Sequence, residues 1–250
     1  MLKTSIDFMK APQKSITLMG MSGIGKSHLA LMMKNWGWGI YSCDVAIGQK
    51  YLADDLKETL GPDTKITTEN ISLLSDFIGK VGNMPYQEFK RRQKLYYNAE
   101  MAALEEAITR SAQNDKFVID STGSLCEIED KSLLEKIGKN SLLVYIKTSK
   151  EQENEILERA QQYPKPLFYP PARLDAWVHE YMQVFGAQNE DNIPANDFAR
   201  WVFPRLLEAR LPKYQSLAER YGVTIPSKDL YTIQSENDLF TLIQNALPQS

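Results

Sequence analysis

The sequence is poor in the residues that build cysteine- or histidine-ligated metal centres, disulfide frameworks and membrane spans. Its 250 residues include only 2 cysteines and 2 histidines, too few for a cysteine-rich scaffold and poor material for a metal centre. No run approaches the roughly 20 apolar residues that a membrane-spanning helix requires, and Met1–Lys10 has no apolar signal-peptide core. These absences predict a cytoplasmic protein in which Cys43 and Cys126 are reduced thiols.

An excess of one charge is also lacking. The formal net charge is −3, which offers no general attraction for a nucleic-acid backbone, so nucleic acid is not an expected partner. The one dense basic cluster is Lys90-Arg91-Arg92-x-Lys94. Such a cluster is typical of a solvated helix face. The alternative interpretations of this cluster are that Lys90 or Arg91 binds a substrate carboxylate or, less favoured, that the cluster contacts nucleic acid.

What the chain does contain is an alternation of short apolar runs and helix-period segments. With 43% hydrophobic and 24% charged residues, its composition is that of an ordinary globular protein, and we expect one domain over residues 1–250 with insertions. The runs that match strands are Ser15–Met19, Ile40–Cys43, Phe117–Ile119, Leu142–Ile146 and Val223–Ile225. Strands separated by helices predict a three-layer α/β fold with a five-stranded parallel sheet.

Two longer segments are predicted to be helical. No proline or glycine occurs from Tyr86 to about Gln113, and the apolar residues that recur on one helix face there are predicted to be core. These residues are Tyr97, Met101, Leu104 and Ile108. Residues 168–207 hold eight aromatic residues without a strand pattern, which predicts a helical insertion. Its rings either form their own small core or face substrate, a second copy or a protein partner.

The most specific motif is Gly20-Met21-Ser22-Gly23-Ile24-Gly25-Lys26-Ser27, a complete G-x-x-x-x-G-K-S string that we call the phosphate loop. It follows a predicted strand and opens a predicted helix, which is the context that the motif requires. Glycines let consecutive N–H groups point inward and form a nest for phosphate at a helix N-terminus. Lys26 would then reach the β- and γ-phosphates, and the Ser27 hydroxyl would hold Mg²⁺.

The phosphate loop therefore predicts binding of ATP with Mg²⁺. The candidate nucleotide contacts are Gly20, Ser22, Gly23, Ile24, Gly25, Lys26, Ser27 and His28. For His28, one residue beyond the motif, a helix-packing or surface role is the alternative to a contact.

A second acidic motif fits the same site. Val118-Ile119-Asp120-Ser121-Thr122 ends a predicted buried strand with a carboxylate, which is where a Walker-B-type aspartate would help Ser27 hold Mg²⁺. The alternative is a carboxylate that caps the following turn. The string also resembles polynucleotide and small-nucleotide kinases, which leaves a 5′-kinase open as an alternative function.

Three further strings narrow the class of protein. Asp44 follows the second predicted strand, Glu158-Arg159 precedes Pro164-Lys165-Pro166-Leu167, and Arg210-x-x-x-Tyr214-x-x-x-Ala218 lies near the end. With the phosphate loop, these strings in this order resemble shikimate kinase. That family has an Asp-x-Asp, a mobile lid containing Arg and Arg-Pro-Leu, and an Arg-x-x-x-Tyr-x-x-x-Ala helix. The resemblance covers most of the chain except residues 168–207 and an extension before Tyr86, and it implies a lid over about 159–173.

The resemblance implies roles for individual residues. Asp44 would orient the acceptor hydroxyl, with a helix N-cap as the alternative. Arg159 would stabilise charge on the transferring phosphoryl group, with a solvated charge near Glu155 and Glu158 as the alternative. Arg210 would bind a substrate carboxylate, with salt bridges to Glu208 or Glu219 on its own helix as the alternative.

The remaining implied substrate contacts fall where the sequence departs from the family pattern. The substrate arginine of the family falls on Lys90, or on Arg91 after a small shift, and the Gly-Gly-Gly after the third strand is Thr122-Gly123-Ser124 here. We include Gly123 and Ser124 among the substrate candidates. Ser42 replaces the first acid of the Asp-x-Asp, and Lys165 replaces the lid arginine of Arg-Pro-Leu.

The sequence thus predicts a shikimate kinase-like enzyme that transfers the γ-phosphoryl group of Mg-ATP to a hydroxyl of a small, carboxylated metabolite. Its catalytic candidates are Lys26, Asp44, Asp120 and Arg159, and its metal candidates are Ser27 and Asp120. One alternative is a catalytically degenerate nucleotide-binding protein that uses residues 168–207 to bind a partner. The other is a nucleotide or polynucleotide 5′-kinase.

Overall fold

The computed structural model describes residues 5–248, which form an α/β fold around a five-stranded parallel sheet. The strands are β1 (Lys14–Met19), β2 (Gly39–Ser42), β3 (Lys116–Asp120), β4 (Leu142–Lys147) and β5 (Gly222–Pro226). They lie in the order β2-β3-β1-β4-β5, and every neighbouring pair is parallel. The predicted fold class is confirmed. Because the strands are parallel, their carboxyl ends share one edge of the sheet.

Helices make up most of the remaining regular structure. Their bounds are α1 (Ser5–Lys10), α2 (Lys26–Asn35), α3 (Cys43–Ala46), α4 (Ala53–Leu60), α5 (Ser72–Ile78), α6 (Tyr86–Ser111), α7 (Lys131–Asn140), α8 (Lys150–Gln162), α9 (Pro171–Phe185), α10 (Ala195–Tyr221) and α11 (Glu236–Ala246). A π-helical turn covers Ile47–Tyr51, and 3₁₀ turns cover Leu125–Glu127, Glu190–Asn192 and Ser227–Thr232. Within the described part of the chain, no helix is both long enough and apolar enough to cross a membrane.

The chain forms two compact units. The first, which we call the sheet unit, comprises the described parts of residues 1–43, 101–152 and 210–250. Its core joins apolar side chains of the central strands to those of α2 and α11. The members with little or no exposure include Ile16, Leu18, Leu29, Met33, Val118, Val144, Leu239 and Ile243. Burial of this face fixes the sheet and its attached helices as one body.

The second, which we call the helical unit, comprises Asp44–Glu100 and Glu153–Ala209. Residues 168–207 lie in it and contain α9 and part of α10 without a strand, as predicted. The rings of Tyr169, Tyr181 and Phe198 belong to its core. The core is not formed by residues 168–207 alone, because Val81, Tyr86 and Phe89 belong to the same cluster, and Phe185 is 57% exposed.

The predicted core face of α6 is correct in one half and wrong in the other. Leu104 and Ile108 are buried, whereas Tyr97 and Met101 are only half-buried. The buried surface of the helix also includes small residues at helical spacing. These are Ala99, Ala103 and Ala107, each at most 4% exposed. Alanines let neighbouring elements approach the helix closely, so a pattern weighted by large apolar residues misses the face that is in contact.

We expect Leu18→Ala to lower the free energy of unfolding by about 3 kcal/mol, because it removes a fully buried side chain from the central strand and leaves a cavity. Urea denaturation followed by circular dichroism measures the change. The matched control is Leu31→Ala on α2, where the side chain is 48% exposed and the expected cost is under about 0.5 kcal/mol. Equal effects of the two substitutions would contradict the described core.

Candidate active site

The phosphate loop connects β1 to α2 through a turn that demands glycine at three points. The φ angles are +139° at Gly20, +82° at Gly23 and +100° at Gly25. At Gly20 there is also no space, since a Cβ would lie 2.5 Å from Cδ1 of Ile24 and 2.8 Å from the carbonyl oxygen of Ile146. Side chains disfavour such left-handed conformations. The loop therefore has the backbone that an anion-binding nest requires.

Lys26 lies inside this turn. Its Nζ donates to the carbonyl oxygens of Gly20 and Met21, each at 2.9 Å, and the residue is 6% exposed. Gly25 is the N-cap residue of α2, and within the described part of the chain no side chain caps the first turn of this helix. His28, in the same turn, is exposed. The first N–H groups of a helix lack partners within it, and the helix dipole favours negative charge there. The turn is thus suited to phosphate.

Asp120 ends β3 beside the phosphate loop. Its carboxylate accepts a hydrogen bond from the Ser27 hydroxyl, while its Oδ1 is buried without a hydrogen-bond partner. Burial raises the pKa of Asp120, whereas the Ser27 hydrogen bond and the charge of Lys26 lower it. Within residues 5–248, no group of three or more His, Cys, Asp or Glu side chains could hold a metal ion. The two oxygen ligands present fit Mg²⁺, which uses few protein ligands together with water and substrate phosphates.

The segment after β3, residues 121–127, approaches the phosphate loop. A Cβ on Gly123 would lie 3.2 Å from both the backbone N and the Oγ of Ser22, so the two backbones are nearly in contact. The hydroxyls of Thr122 and Ser124 are 3.2 Å apart, and both residues are buried. The structure therefore brings Gly123 to the phosphate loop, and the Ser124 side chain that follows it is buried against Thr122.

A buried ion-pair cluster lies at the end of this segment. Arg210 Nε donates to Glu127 Oε1 at 3.2 Å, and Lys213 Nζ donates to Glu127 Oε2. The side chains of Arg210 and Glu127 are 5% and 0% exposed. We call these three residues the Glu127 cluster. Arg210 thus has an ion pair with Glu127, a residue outside its own helix.

Sequence reasoning missed Glu127. The two cations are three residues apart on α10 and share a helix face, which signals a common anionic partner. That partner lies 83 residues from Arg210 in the chain, so no local spacing identifies it. The sequence offers one weak indication of this partner. Glu127 comes two residues after the apolar Leu125, in a segment that follows a predicted buried strand.

Two neutral groups complete the surroundings of the Glu127 cluster. The Tyr214 hydroxyl donates to the carbonyl oxygen of Gly123, and its ring stacks on Tyr145 with centroids 5.3 Å apart. Burial raises the pKa of the Cys126 thiol to about 12 and raises the pKa of Tyr214 well above its ordinary value. Both groups are therefore uncharged near neutral pH, and Tyr214 holds Gly123 in place.

In the helical unit, Asp44 lies in the first turn of α3, which begins at Cys43. The alternative that Asp44 is a helix N-cap is wrong, because it lies within the helix. β2 covers Gly39–Ser42, so the strand begins and ends one residue earlier than predicted. The π-helical turn at Ile47–Tyr51 follows. Such turns are rare and are frequent at functional sites.

The cationic candidates in the helical unit lie at the surface. Lys90 Nζ donates to Asp175 Oδ1 at 2.9 Å, and Arg91 Nε donates to Glu88 Oε2 at 2.7 Å. Arg159 is exposed in the last turn of α8. Asp44, Lys90, Arg91 and Arg159 thus belong to the helical unit, whereas the phosphate loop, Asp120 and Arg210 belong to the sheet unit.

Comparison with known proteins gives the class of fold. A structure of shikimate kinase from Acinetobacter baumannii in complex with shikimate matches 98% of this chain and 99% of that chain, at 16% identity and a TM-score of 0.50. A shikimate kinase from Bacteroides thetaiotaomicron matches 93% of this chain and 95% of that chain, at 13% identity and a TM-score of 0.46. No family model matches the chain, and no curated protein matches its sequence. The chain therefore has the fold of the phosphate-loop small-molecule kinases.

We expect Asp120→Asn to stabilise the metal-free protein at neutral pH, because the raised pKa of Asp120 means that folding disfavours its charged form. In the wild type, the charge of Asp120 lowers the free energy of unfolding. This effect is absent below the ordinary aspartate pKa of about 3.9, grows as the pH rises toward the folded-state pKa, and is constant above it. Thermal unfolding in EDTA across pH measures it. Asp115→Asn, an exposed change before the same strand, is the control. A variant less stable than the wild type at neutral pH would contradict the assignment.

Proposed function

We propose that this protein is an ATP-dependent kinase that transfers the γ-phosphoryl group to a hydroxyl of a small molecule. The grouping of Lys26, Ser27 and Asp120 at the carboxyl ends of β1 and β3 carries the proposal. Parallel α/β sheets bind ligands at that edge. A cation, a hydroxyl and an unpartnered carboxylate oxygen are the groups that a magnesium nucleotide uses there.

Each group has a separate task in this proposal. The N–H groups of residues 22–27 and the Lys26 ammonium bind the phosphates, and the phosphate loop excludes side chains from the space that they occupy. The Ser27 hydroxyl and Asp120 Oδ1 would hold Mg²⁺. When bound, the ion neutralises charge on the β- and γ-phosphates.

The transfer itself requires an acceptor and a group that receives its proton. The acceptor oxygen forms a bond to the γ-phosphorus, the bond from that phosphorus to the bridging oxygen breaks, and the electron pair leaves with ADP. In the proposed mechanism the Asp44 carboxylate orients the acceptor hydroxyl and takes its proton. Arg159 stabilises charge on the transferring group, and the lid at about 159–173 excludes water. The resemblance to shikimate kinase supports the roles of Asp44, Arg159 and the lid.

The resemblance also implies that Arg210 binds a carboxylate of the acceptor. The ion pair of Arg210 with Glu127 opposes that part of the resemblance, since the guanidinium already binds an internal carboxylate. The proposed function is therefore a small-molecule kinase, without shikimate as its assigned acceptor.

We expect Lys26→Ala to lower acceptor-dependent ADP production by about 100-fold or more, because the ammonium that neutralises the phosphates is lost. The assay supplies Mg-ATP with a panel of polyols, sugars, hydroxy acids, nucleosides and 5′-hydroxyl oligonucleotides. Lys34→Ala, an exposed change on the same helix, is the control and should retain wild-type activity. ADP production that needs an acceptor but survives Lys26→Ala would contradict the site.

We expect Asp44→Asn to reduce kcat by about 100-fold while leaving the KM for ATP unchanged, because the amide cannot take the acceptor proton. Steady-state kinetics at saturating acceptor measure the change. Asp54→Asn, an exposed acid in α4, serves as the control. Unchanged turnover in Asp44→Asn would remove Asp44 from the mechanism.

A further inference from the structure

The three cations that the resemblance assigns to substrate binding all hold carboxylates of this chain. Lys90 binds Asp175, Arg91 binds Glu88 at 2.7 Å, and Arg210 binds Glu127 at 3.2 Å. A carboxylated acceptor would need at least one of these cations. It would have to displace an internal carboxylate to obtain it.

A carboxylated ligand could readily displace the internal carboxylates of the first two pairs. The side chains of Lys90 and Arg91 are 36% and 54% exposed, and exposed ion pairs exchange readily with ions from solution. These pairs alone would not exclude a carboxylated ligand. The decisive pair is the one that lies out of reach of solvent.

The pair of Arg210 with Glu127 is of a different kind. Their side chains are 5% and 0% exposed, so separating them would leave a buried, uncompensated charge, which is strongly unfavourable. Both carboxylate oxygens of Glu127 are used, Oε1 by Arg210 and Oε2 by Lys213. The buried pair is balanced in charge. The additional positive charge belongs to Lys213, which is 34% exposed and can be solvated.

The Glu127 cluster is connected to the phosphate loop through one short segment. Residues 121–127 end at Glu127, and at Gly123 a Cβ would lie 3.2 Å from Ser22 of the phosphate loop. The Tyr214 hydroxyl fixes the same segment through the carbonyl oxygen of Gly123. Glu127 thus supplies a carboxylate to Arg210 within the sheet unit, at the end of the segment that contacts the phosphate loop.

We propose that Glu127 takes the place of an acceptor carboxylate at Arg210, so that the acceptor is an uncharged polyhydroxy compound such as a sugar, cyclitol or polyol. The part of this inference that concerns the acceptor rests on the proposed kinase function. The placement of the internal carboxylate itself does not depend on catalysis. Glu127 is a specificity-determining residue in this scheme and takes no part in the transfer of the phosphoryl group.

The first test needs neither ATP nor an acceptor. Glu127→Ala removes the internal carboxylate and leaves Arg210 in a space that formate can fill. We expect sodium formate to raise the thermal midpoint of Glu127→Ala by at least about 3 °C over equal sodium chloride. The wild type and Glu135→Ala, which removes a surface carboxylate paired with Arg220, should show no such difference.

The outcomes of this test are distinct. A formate-specific rise in the wild type would show that Arg210 accepts external carboxylates, which overturns the proposal. Failure of formate to stabilise the variant would overturn it as well, because the internal carboxylate would then not be replaceable by a ligand. If Glu127→Ala does not fold, Glu127→Ser also removes the carboxylate and leaves space for formate, and the yield of folded Glu127→Ser expressed with and without formate gives the same comparison.

The second test measures acceptor choice in the wild type. Matched acceptors that differ only by a hydroxymethyl group or a carboxylate are compared by kcat/KM with Mg-ATP. We expect the uncharged member of each pair to be preferred by at least about tenfold, and Glu127→Gln to reduce that preference. Preference for the carboxylated members would overturn the proposal while leaving the kinase function intact. No ADP production with any acceptor would count against the kinase function, and the formate test would still decide the role of Glu127.

Discussion

The parallel pairing of β1 with β3 is the constraint on which the rest of the site depends. In this register Leu18 lies opposite Asp120, and the Ser121 hydroxyl donates to the carbonyl oxygen of Leu18 at 2.6 Å. The last residues of the two strands are thereby held side by side, so the carboxylate of Asp120 meets the hydroxyl of Ser27. A shift of one residue would turn Asp120 to the other face of the sheet and separate the two groups.

That placement imposes an energetic cost on the folded chain. Asp120 is 6% exposed and its Oδ1 has no partner, an arrangement that evolution for stability alone would remove. Natural proteins keep such groups where function needs them. Lys26 of the phosphate loop partly offsets the charge of Asp120, but the Nζ of Lys26 donates to two backbone carbonyl oxygens. The unmet carboxylate oxygen is therefore a stronger sign of a ligand than the glycine motif alone.

The sequence predicted those parts of the molecule that depend on local pattern. The strands follow from apolar runs, and the phosphate loop from glycines whose backbone no other residue adopts at low cost. The pairing of Arg210 with Glu127 depends instead on tertiary contact over 83 residues, and no periodicity encodes it. The buried alanines of α6 were missed for a related reason, because a pattern of large apolar residues does not detect them.

A shared fold does not carry its ligand contacts with it, and the charges around Arg210 illustrate why. A guanidinium in this position must be neutralised, because an isolated buried cation is too costly. The neutralising carboxylate can belong to a ligand, which makes the cation a recognition group, or to the chain, which makes it a structural one. Glu127 makes it structural here. The same residue type at the same place in the motif therefore joins α10 to the segment after β3, and a shared motif alone does not show which ligand a site binds.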